Sequence, residues 1–424
     1  MSNPRSLTSL GSRYYALWVG QAVSQFGTYV AYLSLPLLVL YIHQQQGSES
    51  VLDFSITYAL ETAPTLMIGL VGGVLLDRWH LRPVMVATDL LRACAFFYLA
   101  ATIGDYGVMT VFVVSFLVGS LNTFFDGAMY AVVPALVPEH RLAQANGLIA
   151  ASQQANFALG PIAAGLMAFS TGTPALGLFV NGVTFLLSAV SLYWIGRVPH
   201  HRSADDERQG FFTEAANGIR YIFAEPRLRI TTIASAIPNF VFGFIEATFV
   251  VLALVVFKVH DEAQIGLLIA AEGVGGFIGA VLAPRIIRRI GLGRTMTIGM
   301  TITGVCLMAV VRMEYGIEVI LLLMGWMFGI GMVNVALATI RQHYATRAML
   351  GRVVTASRAI GWATLPIGAL VGGWLGSEEL NYPVVARAFP ILIVATAIWL
   401  FTTVVWRDTF GPREETDETA GVAP

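Results

Sequence analysis

Apolar residues in this chain gather into twelve long runs separated by short polar loops, near 14–42, 52–76, 84–104, 107–134, 142–168, 173–195, 228–257, 263–284, 295–313, 316–340, 350–375 and 384–406. None shows the period-two alternation of a half-buried strand. Each is on the order of the 20 residues that a helix needs to cross the hydrocarbon core of a bilayer. Lipid offers the backbone no hydrogen-bond partners, so each run is predicted to be helical. Pro36, Pro64, Pro161, Pro238 and Pro366 lie inside these runs and are expected at kinks that face other helices. The runs form two sets of six on either side of a charged stretch at 197–229. The chain therefore divides into residues 1–195, a linker at 196–227, residues 228–407 and an acidic tail at 408–424. Within the linker, Phe211, Phe212, Ala215, Ile219, Ile222 and Phe223 recur at helical spacing after a polar segment, which predicts an amphipathic helix on the membrane surface.

Composition agrees with a polytopic membrane protein. A chain of 424 residues that is 56% hydrophobic and 12% charged is too apolar for a soluble protein of that length. Roughly twenty of the 25 Lys and Arg fall on one side of the predicted spans, among them Arg13, Arg82, Arg141, Arg220, Arg288, Arg341 and Arg407. Positive loops resist translocation, so that side is expected to be cytoplasmic, with both termini on it, in the inner membrane. The first run is too long for a signal peptide and is expected to stay as the first span. The net charge of −1 averages this basic face with an acidic tail, and nucleic acid is not expected as a partner. Cys94 and Cys306 each fall inside a span, where a lone thiol acts as a small hydrophobe. No metal-ligand spacing and no phosphate loop are present in the sequence. No cofactor, no ATP-driven step and no enzymatic activity are therefore expected.

Two motifs carry a family resemblance. Between the second and third spans stands Gly73-Val74-Leu75-Leu76-Asp77-Arg78-Trp79-His80-Leu81-Arg82. A glycine for close helix approach, an acid for a helix N-terminus and arginines at the cytoplasmic surface suit a gate. The fifth span carries Gly147, Asn156, Gly160-Pro161 and Ala164-Gly165, small residues that let helices approach closely. The first motif resembles the signature of the major facilitator superfamily, with His80 and Leu81 replacing a glycine and a basic residue. The second resembles the motif of that superfamily's antiporters, with Asn156 and Ala164 at glycine positions. The resemblance implies an all-α fold of twelve transmembrane helices in two pseudo-symmetric six-helix bundles, with the binding site between them. Further runs, Gly69 and Gly73, Gly275 and Gly279, and Gly368, Gly372 and Gly376, are expected to give the smooth faces on which the bundles slide. Gly279-Ala280-Val281-Leu282-Ala283 followed by Arg285, Arg288 and Arg289 reads as a degraded copy of the first motif, which fits an internal duplication. Val137-Pro138, Ala145-Asn146-Gly147-Leu148, Gly218-Ile219-Arg220-Tyr221-Ile222, Arg227-Leu228-Arg229 and Met349-Leu350-Gly351-Arg352-Val353 resemble the drug:proton antiporter branch, which holds macrolide exporters, Tap-type multidrug pumps and the enterobactin exporter.

Charges inside the spans are the candidates for mechanism, because an ionised group in hydrocarbon costs several kcal/mol and survives where it lines a cavity. They are Glu61, Asp89, Arg92, Asp126, Glu246, Glu272 and Arg358. A carboxyl withdrawn from water exchanges its proton closer to neutral pH, the property a proton carrier needs. Glu246 is the first candidate, and resemblance to an acidic position of the Tap-type pumps supports it. Glu61 and Glu272 sit at similar depth from the outer ends of their spans and are expected to line an outward-facing cavity. Asp89 and Arg92, three apart on one helix face, are expected to form an inner charge network with Asp126, neutralised in part by Arg358. Phe124, Phe125, Phe240, Phe242, Phe244, Trp326, Met327 and Phe328 are candidates for an apolar cargo pocket.

The expected function is secondary active transport by alternating access, with proton-coupled efflux of hydrophobic or amphiphilic small molecules, drug-like or siderophore-like. A lipid or lysophospholipid translocator, a nutrient symporter and a non-transporting membrane sensor remain as alternatives. Small-molecule cargo, protons and membrane lipids are the expected partners, and the chain is expected to be monomeric.

Overall fold

The computed structural model describes residues 10–47, 50–67, 80–103, 105, 107–138, 141–196, 211–345, 349–377 and 382–407. Among them are fourteen helices and no strand. These are α1 (Ser12–Gln46), α2 (Val51–Met67), α3 (Leu81–Ala101), α4 (Val108–Leu136), α5 (Leu142–Thr171), α6 (Ala175–Ile195), α7 (Phe211–Ala224), α8 (Pro226–Ala247), α9 (Phe249–Val255), α10 (Glu262–Ile290), α11 (Leu292–Val310), α12 (Ile317–Tyr344), α13 (Leu350–Ser377) and α14 (Tyr382–Thr402). Ten of them are long and apolar enough to cross a membrane. The other two predicted crossings are α2, described for 17 residues, and α5, whose Gln144, Gln153, Gln154 and Asn156 lower its hydropathy.

Local chemistry sets several boundaries. The α1 helix ends at Gly47, whose left-handed φ of 62° returns its N–H to the His43 carbonyl, and His43 then meets Asp53 of α2 at 2.9 Å. Asp261 starts α10 by accepting from the Ala263 N–H at 2.8 Å, and Arg288 and Arg289 stand in its last turn, where cations suit the helix dipole. The seventh predicted span is not one helix but two, broken at Thr248. There the Thr248 hydroxyl donates to the Phe244 carbonyl at 2.7 Å, so the 2.8 Å contact with Tyr382 is donated by the tyrosine.

The packing has an internal symmetry that the sequence only hints at. In the first bundle α1 packs on α5 and α6, α3 on α4 and α6, and α2 on α4. In the second, α8 packs on α13 and α14, α11 on α12 and α14, and α10 on α12. Each of these five pairings in one bundle has its counterpart in the other. The two main contacts between bundles, α5 with α10 and α2 with α13, are likewise exchanged by this symmetry.

Both bundle contacts lie at the end of the molecule opposite the chain termini. A Cβ at Gly165 would collide with the Glu262 backbone, one at Gly266 with the Pro161 carbonyl, and one at Gly373 with the Ser55 side chain. The core repeats this polarity. One buried cluster joins residues of both bundles, including Val30, Phe54, Ala164, Phe244, Ile265 and Trp326. At the end that carries the termini there are two clusters: one around Tyr14, Met85 and Val132 in the first bundle, the other around Leu228, Met296 and Ile340 in the second. The bundles are thus closed at the far end, and near the termini each has its own core.

Two expectations are corrected here. Gly275 and Gly279 face α12, and Gly368 and Gly372 face α8, so these runs tighten one bundle internally and are not surfaces between bundles. Gly376 sits near Tyr382 and Val51, and Gly69 and Gly73 lie outside the described residues. The helix predicted in the linker forms as α7, but it docks on the second bundle: Ile222 is buried beside Leu228 and Ile287, while Ile219 and Phe223 stay exposed. The charged part of the linker and the acidic tail lie outside the described residues. Large apolar side chains such as Val113, Phe169, Trp194, Ile317 and Ile398 point outward, as a lipid-facing belt requires.

Candidate functional site

Glu246 stands two residues before the break between α8 and α9, and Glu272 lies about ten residues, ~15 Å, into α10. Both carboxyls are buried, at 4% and 0% exposure, and they face each other within hydrogen-bonding reach. The Tyr32 hydroxyl of α1 donates to Glu246 Oε2. Glu246 Oε1 and both oxygens of Glu272 find no donor among the described residues. Two ionised carboxylates placed this way would face each other without a counter-ion, whereas a proton on either one supplies a missing donor.

Tyr58 of α2 extends the cluster, interacting electrostatically with both Glu246 and Glu61, which follows it on the same helix. Glu61 is half-buried, and its backbone is where Gly119 of α4 makes its closest approach. The cluster therefore draws on α1, α2, α8 and α10, two helices from each bundle. The three glutamates do not line an outward-facing cavity in this conformation, because the shared core seals that end above them. Sequence reasoning missed Tyr32 and Tyr58. A tyrosine in an apolar run carries no charge to mark it, and only its depth, matched to that of the carboxyls, offered a signal.

Nearer the termini, Asp89 and Arg92 meet on α3, while Asp126 and Arg358 stand apart from them. Arg92 Nη2 meets Asp89 Oδ1 at 2.5 Å, Nη1 donates to Asn122 at 2.7 Å, and the guanidinium lies between the rings of Phe125 and Phe185 at 4.4 and 4.3 Å. Both charges are buried. Asp126 interacts electrostatically with Arg92 in its own bundle and with Arg358 in the other, without an ion-pair contact, and both Asp126 and Arg358 keep exposed side chains where the bundles part. Replacing Asp89 with Asn leaves the buried Arg92 without its closest counter-charge. This is expected to cost about 3 kcal/mol, visible as a lower unfolding temperature in detergent.

Of the loop motif, Gly73, Asp77 and Arg78 lie outside the described residues. Arg82 hydrogen-bonds the carbonyls of Leu192 and Tyr193 at 2.9 and 3.1 Å, which satisfies the last turn of α6. In the fifth-span motif, Gly160 packs on the backbone of Tyr29 and Val30 in α1, and Gly165 on α10 across the bundle contact. Pro161 presents its carbonyl to Gly266, and Asn156 donates to the Ala22 carbonyl at 2.7 Å. Gly147 differs, with open space around it. Among the aromatic candidates, Phe242 and Met327 line a cavity in the second bundle. Phe125, Phe244 and Trp326 are buried in the core, and Phe240 stacks on Phe389.

The profile of the family described as Major Facilitator Superfamily matches residues 17–358 and, in a second match, 239–424. The chain belongs to the major facilitator superfamily. It is 27% identical over 404 residues to an uncharacterised MFS-type transporter of Sinorhizobium fredii, covering 93% of this chain and 95% of the relative. It is 26% identical over 384 residues to the multidrug efflux pump Tap of Mycolicibacterium fortuitum, covering 87% and 90%. A solved variant of the nucleoside transporter NupG superposes with a TM-score of 0.74 at 12% identity, covering 91% of this chain and 99% of that one, a likeness of fold. Family membership and helical architecture make this major facilitator protein a multi-pass membrane protein and a secondary transporter.

Proposed function

We propose that this transporter is a proton-coupled exporter of hydrophobic or amphiphilic small molecules, working by alternating access in the cytoplasmic membrane with its termini inside. The observation that carries the reading is the pair of buried carboxyls, Glu246 and Glu272, facing each other at the bundle contact with one tyrosine donor for four carboxyl oxygens. Losing the shared proton leaves two facing carboxylates in the second bundle, set against Tyr32 and Tyr58 of the first, and regaining it relieves their repulsion, so proton occupancy changes how the second bundle meets the first and favours one orientation over the other. Bundles parted at the terminal end offer cargo an entrance from the cytoplasm or inner leaflet. Similarity to an efflux pump supports the outward direction.

The test is transport in proteoliposomes with a panel of cationic, neutral and anionic fluorescent amphiphiles. At least one is expected to move against its gradient when a pH gradient is imposed, and nigericin is expected to stop it. Accumulation that survives nigericin would overturn proton coupling, and failure to carry any member of the panel would overturn the exporter reading.

A further inference from the structure

A cavity of about 580 Å³ opens inside the second bundle, between α8, α11, α12 and α13, on the side nearer the termini. Its size suits a drug-like molecule. Phe242, Met300, Met327, Ile330, Leu337 and Trp362 make most of its wall apolar. Its charged groups among the described residues have one sign: the arginines Arg341 and Arg358, beside the neutral Asn239, Asn334, Ser235 and Ser357, with no carboxylate among the described residues of the wall.

Arg341 is the unusual member. Its side chain is 8% exposed, and its Nε has no hydrogen-bond partner among the described residues. It lies in the last turn of α12, where a cation suits the helix dipole, yet no hydrogen bond ties it to the carbonyls there. The charged group acting on it is Arg358, a like charge. Arg358 in turn stacks on Trp362 at 4.8 Å and feels Asp126 from the opposite bundle. Among the described residues one distant carboxylate is thus set against two guanidinium groups, and the Nε of the buried one is left without a partner. A buried guanidinium without an anion is costly, and a planar fork of donors fits a carboxylate, sulfate or phosphate.

We infer that this cavity is a cargo subsite for anionic amphiphiles, with Arg341 and Arg358 taking the acidic head group and Trp362, Met327 and Phe242 the apolar body. Calling the occupant cargo rests on the exporter reading, but binding at equilibrium does not depend on proton coupling. The head group belongs either to a free amphiphile or to an acidic phospholipid.

The experiment titrates the full-length protein, in phosphatidylcholine nanodiscs at pH 8, with dansylaminoundecanoic acid, its methyl ester and the corresponding amine, each corrected against empty discs. The acid is expected to bind at least about tenfold more tightly than the ester or the amine, the range of a hydrogen bond to a charged group. Arg341→Gln is expected to remove that preference while leaving ester binding unchanged, and Arg341→Lys to recover part of it. Phosphatidylglycerol in the discs displaces the acid if the occupant is a lipid head group and leaves it in place if the occupant is a free amphiphile. Equal affinity for acid and ester in the unmodified protein, a measurement independent of any variant's folding, would overturn the inference, as would undiminished acid binding in Arg341→Gln. Loss of proton-driven flux with acid binding intact would count against the exporter reading alone.

Discussion

Glu272→Gln is expected to abolish proton-driven transport, lowering the initial rate about a hundredfold or more, the scale on which a positioned proton-transfer group contributes. Glutamine keeps the volume of the side chain, so the tight packing at Gly273 against Phe157 and Ala158 is undisturbed and the protein should fold. What changes is the proton. An amide donates permanently towards Glu246 and cannot release what it donates, so the pair stays in its proton-bearing state whichever way the carrier faces. Glu246→Gln should behave similarly, with Tyr32 then donating to an amide oxygen. Exchange of labelled for unlabelled cargo across the membrane without a gradient should survive in a carrier whose proton step alone is lost. The measurement is a paired comparison of gradient-driven uptake and counterflow in proteoliposomes. Unchanged gradient-driven uptake in both variants would mean that the carboxyl pair is not the proton carrier.

Adding a methyl group at Gly165 or Gly266 is expected to pry open the end that is now closed. At each position a Cβ would collide with backbone of the opposite bundle, which cannot swing aside as a side chain can. Overpacking of this kind costs about 1–3 kcal/mol per site. The two sites lie on the same helix pair, and a double Gly165→Ala, Gly266→Ala change should cost the closed state about 2–6 kcal/mol, whose upper end reaches the ~5.5 kcal/mol that carries a two-state equilibrium from 1:99 to 99:1. Distances between spin labels at the ends of α2 and α13 should lengthen, with transport falling in step. Labels that keep their unmodified separation would show that these contacts do not hold that end shut. Gly275 and Gly279 are the control, because their contacts lie within one bundle and substitution there should lower stability without redistributing conformations.

The contrast between these glycines explains what the sequence could and could not say. Length and polarity of the apolar runs set the helices, since each run must satisfy its own backbone in lipid. Asp89 and Arg92 were legible as a pair because their spacing on one helix already places them together. The meeting of Glu246 with Glu272 was not, as it depends on how two helices rotate about their axes. Small-residue patterns likewise show that a helix is approached closely but not by which neighbour, and Gly368 and Gly372 proved to face their own bundle. The break at Thr248 escaped notice because no glycine or proline stands there to mark it; the hydrogen bond that Thr248 makes with Tyr382, 134 positions away, leaves no local trace in the sequence.

Of the three apolar cores, one spans both halves of the molecule and the other two belong to one half each. Each half therefore carries private packing that would let it swing as a solid body, with the shared cluster and the close contacts at Gly165, Gly266 and Gly373 as the described parts that such a swing must break and remake. That cluster surrounds the facing carboxyls, so on the proton-coupled reading the fulcrum of the swing and the place of proton exchange coincide, and neither event would proceed without disturbing the other.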